Sequence, residues 1–110
     1  MMLEKLATAL DETKYDFVFA AWSDAPEHDY GVYGILSQSE LSADSDSGAE
    51  IALEGYVDYF TRDASLTPKT TIEAALRTLE ISWNLESVQY EETGFIHYEW
   101  YWRDIVNGTN

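Results

Sequence analysis

Two histidines, His28 and His97, are the residues of this chain most suited to chemistry at neutral pH. Imidazole titrates in that range and is a common metal ligand, so each could serve as a base or bind an ion. Their placement points elsewhere. His28 lies in the acidic stretch 23–29 and His97 in an aromatic strand, and no helical or finger-like spacing unites them as ligands. His97 is expected as a half-buried hairpin residue and His28 as a solvated one. Asp44-Ser-Asp46-Ser-Gly48 resembles the opening of a calcium loop, but Gly48 and Ala49 fill the fifth and sixth positions. Gly55 stands at the twelfth, where a bidentate Glu is required. Pairs of carboxylates suited to glycosidic chemistry can be drawn anywhere in a chain with 21 acidic residues, so they carry no information. Cysteine is absent, which removes disulfides, thiolate metal sites and Cys nucleophiles. There is no glycine-rich phosphate loop and no Gly-x-Ser-x-Gly elbow. No catalytic, cofactor-binding or metal-binding residues are expected, and no enzyme.

Charge narrows the class further. The acidic residues face six Lys and Arg, giving a formal net charge of −15. Between Lys14 and Arg62 lie ten carboxylates and no basic residue. Such a surface repels phosphates, which disfavours DNA binding through a basic groove. The 16 aromatics (four Trp, eight Tyr, four Phe) are not interleaved with cations, as a base-stacking platform would need, so they read as core and interface. With 45% apolar content, 110 residues fit one domain, 1–110, with a modest core. No apolar run approaches the length of a membrane span, and a soluble, unprocessed, cytoplasmic protein is expected.

These residues need elements to hold them. Leu3, Leu6, Ala7 and Leu10 mark a short N-terminal helix. Tyr15 to Trp22 suits a strand buried on both faces, and Tyr30 to Leu36 a second strand after a loop closed to pairing by Pro26. Residues 37–50 hold five serines and the acids Glu40, Asp44, Asp46 and Glu50, a composition that predicts a long mobile loop. Ile51 to Thr61 returns as a strand, with Ile51, Leu53, Val57 and Tyr59 on one face and Glu54, Tyr56, Asp58 and Phe60 on the other. Thr67-Pro68 reads as an N-cap and first helical residue, opening a helix with the stripe Ile72, Ala75, Leu76 and Leu79. Residues 85–102 form a hairpin through Glu91-Glu92-Thr93-Gly94. Its second arm turns Ile96, Tyr98, Trp100 and Trp102 to one face and Phe95, His97, Glu99 and Tyr101 to the other. Residues 105–110 are expected to fray. The sum is a single α+β domain with an antiparallel-rich mixed sheet of about five strands, two helices on one face, and a long acidic loop between strands 2 and 3.

In this order the pieces resemble the small tail-terminator or tail-completion proteins of long-tailed bacteriophages and prophages. The likeness covers nearly the whole chain. It rests on Phe19-Ala-Ala-Trp22, a loop with proline, Tyr30-Gly-Val-Tyr33, the acidic serine-containing segment, Leu53 to Thr61, a helix, and Tyr90-Glu-Glu-Thr-Gly-Phe-Ile-His-Tyr-Glu-Trp100. The resemblance implies a structural virion protein without cofactor, made in the host cytoplasm and placed at the head-proximal end of the tail. There a ring, typically of six subunits, would stop tube polymerisation and meet the tail-tube protein and a head-completion or connector protein. DNA would pass through without specific binding, and no membrane is involved. On that reading Glu40, Asp44, Asp46 and Glu50 are candidates to line the passage and repel DNA. Tyr56, Phe60, Tyr101 and Trp102 are candidates for the contact between subunits. The charge alone also allows an acidic DNA mimic that inhibits a nucleic-acid-binding partner.

Overall fold

Alternating side chains build the sheet, and helical stripes of leucine and isoleucine cover one side of it. A computed structural model describes residues 2–22, 24–40 and 50–107, with the side chains of Met2, Val106 and Asn107 left aside. Helix α1 is Met2–Glu12, followed by strands β1 (Phe17–Phe19), β2 (Tyr30–Glu40) and β3 (Glu50–Thr61). Helix α2 (Thr67–Arg77) leads to β4 (Ser82–Tyr90) and β5 (Ile96–Asn107). The strand order is β1-β2-β3-β5-β4, with β1 parallel to β2 and every other pair antiparallel. This is the expected α+β domain, and its sheet is mixed.

The core lies between the sheet and both helices. Leu6 and Leu10 of α1 and Ile72 and Leu76 of α2 are fully buried against Val57, Tyr59 and Trp100. The alternation expected for β3 and β5 holds. Val57, Tyr59, Ile96, Tyr98, Trp100 and Trp102 are buried beneath the helices, while Tyr56, Asp58, Phe60, His97, Glu99 and Tyr101 occupy the other face. The β4–β5 turn closes as expected on Gly94, whose φ of 90° only glycine adopts without strain. The Glu91 amide donates to the Phe95 carbonyl across it at 2.9 Å.

Four local expectations change. The first strand does not run from Tyr15 to Trp22 and is not buried on both faces; it is a three-residue edge strand with Phe19 52% exposed. Ala20 takes φ 72° and ends it, after which the Trp22 indole donates to the Gly31 carbonyl at 3.0 Å, so the chain turns back over β2. Residues 37–40 and 50 are strand and not loop: Ser37, Gln38, Ser39 and Glu40 pair with Glu54, Leu53, Ala52 and Ile51. Backbone pairing needs no apolar side chain, which is why a serine-rich sequence can carry it. Residues 41–49, including Asp44 and Asp46, lie outside the described residues. Ile105, Val106 and Asn107 pair with Ala52, Ile51 and Glu50 and so do not fray, while 108–110 lie outside the described residues. Helix α2 begins one residue early, with Leu66 as its N-cap, and the Ser65 hydroxyl accepts from the Thr67 amide at 3.3 Å in place of a capping side chain.

Tyrosine burial makes the fold sensitive to alkali. Tyr59 is 2% exposed and stacks on Tyr15 at 5.0 Å between ring centres. Burial, reinforced by the negative charges of Asp29 and its acidic neighbours, pushes the phenol far above its ordinary value of 10. Tyr30, Tyr33, Tyr56 and Tyr98 move the same way, mainly through burial. A folded pKa above the unfolded one means that the folded state keeps a proton the unfolded chain releases. The contribution is whole below about pH 10 and is lost as pH rises further. The urea midpoint should be flat to about pH 9.5 and then fall, less steeply for Tyr59→Phe. A midpoint constant to about pH 11 would mean that the phenols titrate freely.

Candidate functional site

The register of three strands lays a row of rings across the face opposite the helices. Tyr30 of β2 is paired with Phe60 of β3, and Phe60 with His97 of β5. Side chains directly opposite on one face are close enough to stack. Tyr30 and Phe60 lie 4.7 Å apart at 15°, and Phe60 and His97 4.1 Å apart at 18°. Trp22 meets Tyr30 edge-on at 6.3 Å, and the Tyr56 hydroxyl reaches the Ala20 carbonyl at 3.4 Å. The segment after β1 thus becomes one wall of a cleft of about 450 Å³, lined by Tyr30, Phe60, Tyr56 and Tyr101 together with Asp58 and Glu99. A second cleft of about 310 Å³ adjoins it, and Leu36 and Tyr101 line both. Leu36 sits at the β2 bulge and is 57% exposed, so these two side chains form the ridge between the clefts.

The electrostatics of the floor are unusual. Asp58 and Glu99 are direct cross-strand partners, a position where like charges repel. His97, two residues before Glu99, points its Nε2 at Asp58 Oδ1 across 3.6 Å, long for a hydrogen bond. Both atoms are removed from solvent and, apart from this long approach to each other, have no hydrogen-bond partner. Asp58, acting as an acceptor toward the ring, raises the imidazole pKa above its ordinary value. Burial opposes that shift, and the charges of Asp58, Glu99 and Glu91 add to it. At 3.6 Å the pull is more that of a charge than of a shared proton. Asp58 Oδ1, His97 Nε2 and a Glu99 oxygen lie within 4.8 Å of one another.

Three of the four contact residues read from the sequence, Tyr56, Phe60 and Tyr101, come together on this face. Trp102 does not. It is 2% exposed beneath the helices, packed over Gly55, with its indole donating to the Tyr56 carbonyl at 3.3 Å. Alternation from Tyr101 forces this, since adjacent strand residues point to opposite faces. Glu40 and Glu50 are exposed at the far ends of β2 and β3. Ten residues of strand separate Glu40 from Tyr30, about 33 Å at the usual rise. His28 is solvated as expected and lies 2.6 Å from Asp16, so the two histidines serve separate carboxylates. The Asp58, His97 and Glu99 cluster went unrecognised in the sequence, because only the β3–β5 register brings position 58 opposite 99. Leu36 was missed because its exposure depends on a bulge.

No family model and no curated protein matches the chain. Among solved structures it is similar to a chain of the virion of a native gene transfer agent (GTA) particle, with a TM-score of 0.55 and 13% identity over 94% of this chain and 84% of that one. The likeness shows a shared fold across almost the entire length.

Proposed function

We propose that this protein is a structural component of a phage-type virion that assembles through its helix-free sheet face into a ring, typically of six subunits, at the head-proximal end of the tail tube. The observation that carries the reading is the face itself. Its centre is an aromatic cleft with the exposed ridge Leu36 and Tyr101, where a solvent-facing sheet would carry polar side chains. Its fold is shared with a chain of a virion particle, which supports the class. In such a ring Tyr56, Phe60 and Tyr101 anchor neighbouring copies. Glu40 and Glu50, about 33 Å down the strands, belong to the segment that faces passing DNA and repels it. Tail-tube and head-connector proteins are the partners at its two ends, and the chain carries out no catalysis.

An inhibitor that mimics DNA is the other reading of the charge. It needs free carboxylates in a regular array, whereas on this face Asp58 is engaged with His97 and Glu54 with Arg103 at 3.3 Å, which favours assembly.

Electron microscopy of the purified protein mixed with tail tubes is expected to show density capping one end. Native mass spectrometry should show a ring whose population grows with salt. Screening weakens repulsion between chains of charge −15, over a Debye length of about 10 Å at 0.1 M, more than it weakens apolar burial. Rings that dissociate as salt is added, or a complex formed with a basic nuclease in their place, would overturn the assembly reading.

A further inference from the structure

The cluster at the floor of the cleft has the donor set of a metal site and the geometry to act as one. One imidazole nitrogen and two carboxylate oxygens form a mixed set that suits borderline dications of the zinc class, whereas calcium and magnesium take oxygen alone. In a tetrahedral site with bonds of about 2.0–2.1 Å, neighbouring ligand atoms stand about 3.4 Å apart. His97 Nε2 and Asp58 Oδ1 are 3.6 Å apart, and all three ligand atoms lie within 4.8 Å, so a small rotation of Glu99 closes the set.

The scaffold is already rigid. Asp58 lies on β3 and His97 and Glu99 on β5, the two inner strands of that half of the sheet, and stacking on Phe60 fixes the imidazole plane. The Ser87 hydroxyl donates to Glu99 at 3.3 Å, an outer contact of the kind that orients a ligand carboxylate. Two further observations point to a ligand. Asp58 Oδ1 and His97 Nε2 are buried and face only each other, at 3.6 Å, beyond hydrogen-bond length, although buried polar atoms are costly to leave without a good hydrogen bond. Among the described residues no lysine or arginine pairs with Asp58 or Glu99; Arg103, the cation nearest in sequence, is bound to Glu54.

We propose that Asp58, His97 and Glu99 bind one zinc-class dication, with the remaining coordination position open to the cleft. The competitor is a proton: an imidazolium between two carboxylates would relieve the same repulsion, so the ion must displace it. Because all three ligands come from one chain, binding does not depend on ring assembly, and its failure would leave the proposed function standing.

The test uses the full chain, stripped with a chelator and titrated with Zn²⁺ by calorimetry and with Co²⁺ by visible absorption, at constant neutral pH. The expected result is one ion per chain, a ligand-field spectrum of low-coordinate Co²⁺ that Zn²⁺ abolishes, and a Zn²⁺-dependent rise in Tm that Mg²⁺ and Ca²⁺ do not give. Loss of an outer-shell contact typically weakens metal binding about 10–100-fold, so Glu99→Gln, which removes a ligand, should cost at least that. His97→Gln should do the same, and partly exposed Glu99 keeps the test valid if His97→Gln unfolds. His28→Gln, at the separate Asp16 pair, should bind like wild type. Three outcomes would overturn the site: no binding, equal response to Mg²⁺ and Zn²⁺, or loss of binding in His28→Gln with retention in Glu99→Gln.

Discussion

Trp100→Ala is expected to lower stability by about 3–5 kcal/mol, a large share of the roughly 5–15 kcal/mol that holds a domain together. Trp100 is fully buried between Val57 of β3 and Leu85 of β4, its two cross-strand partners, and stacks on Tyr98 at 5.6 Å. Truncation therefore opens a cavity at the centre of the sheet. It also strips a donor from a buried acid. The Trp100 indole donates to Glu73 Oε2 at 3.0 Å, while Oε1 accepts from Lys69 at 3.0 Å with Arg77 at 4.0 Å. Glu73 is 7% exposed, so its carboxylate depends on these three partners in place of water. Trp100→Phe separates the two contributions: it keeps most of the ring volume, loses the bond, and should cost about 1–3 kcal/mol. Urea midpoints read both. A Trp100→Ala midpoint within about 1 kcal/mol of wild type would mean that α2 is not seated on the sheet as described.

How much of this was legible depended on the range of the interaction. The faces of β3 and β5 followed from alternation alone, because apolar side chains recur on one face of each, Ile51, Leu53, Val57 and Tyr59 on β3 and Ile96, Tyr98, Trp100 and Trp102 on β5. The turn at Gly94 followed from one glycine in a polar link. Strand length did not follow from composition. Residues 37–40 look unable to order themselves, and the backbone of β3 orders them. Tyr15 to Trp22 looks like a buried strand, and two things limit it to three residues: a left-handed Ala20 and an indole bonded to Gly31. That Tyr56, Phe60 and Tyr101 share one face was legible from alternation, and the same alternation puts Trp102 on the opposite, buried face. Asp58 opposite Glu99 was out of reach, since register between strands 41 positions apart in the chain is a tertiary fact.

The proposed ring offers the other large effect. Leu36→Asp combined with Tyr101→Asp should abolish assembly, leaving only monomer in native mass spectra at concentrations where wild type is expected to form rings. Both side chains are exposed in the isolated chain, at 57% and 38%, so neither change opens a cavity, and the urea midpoint should stay close to wild type. In an assembled ring the same positions would be covered, and each new carboxylate would then be desolvated without a partner, at several kcal/mol per site. The penalty recurs at each subunit contact. Added charge could also break a ring of acidic chains wherever it is placed, so location must be separated from charge. Leu66→Asp with Tyr90→Asp adds the same charge at residues 66% and 80% exposed that do not line either cleft. This control should still assemble, with its midpoint moved to modestly higher salt. Equal loss of rings in both double variants would assign the effect to net charge and withdraw the sheet face as the contact, whereas intact rings in the Leu36 and Tyr101 variant would move the contact elsewhere on the molecule.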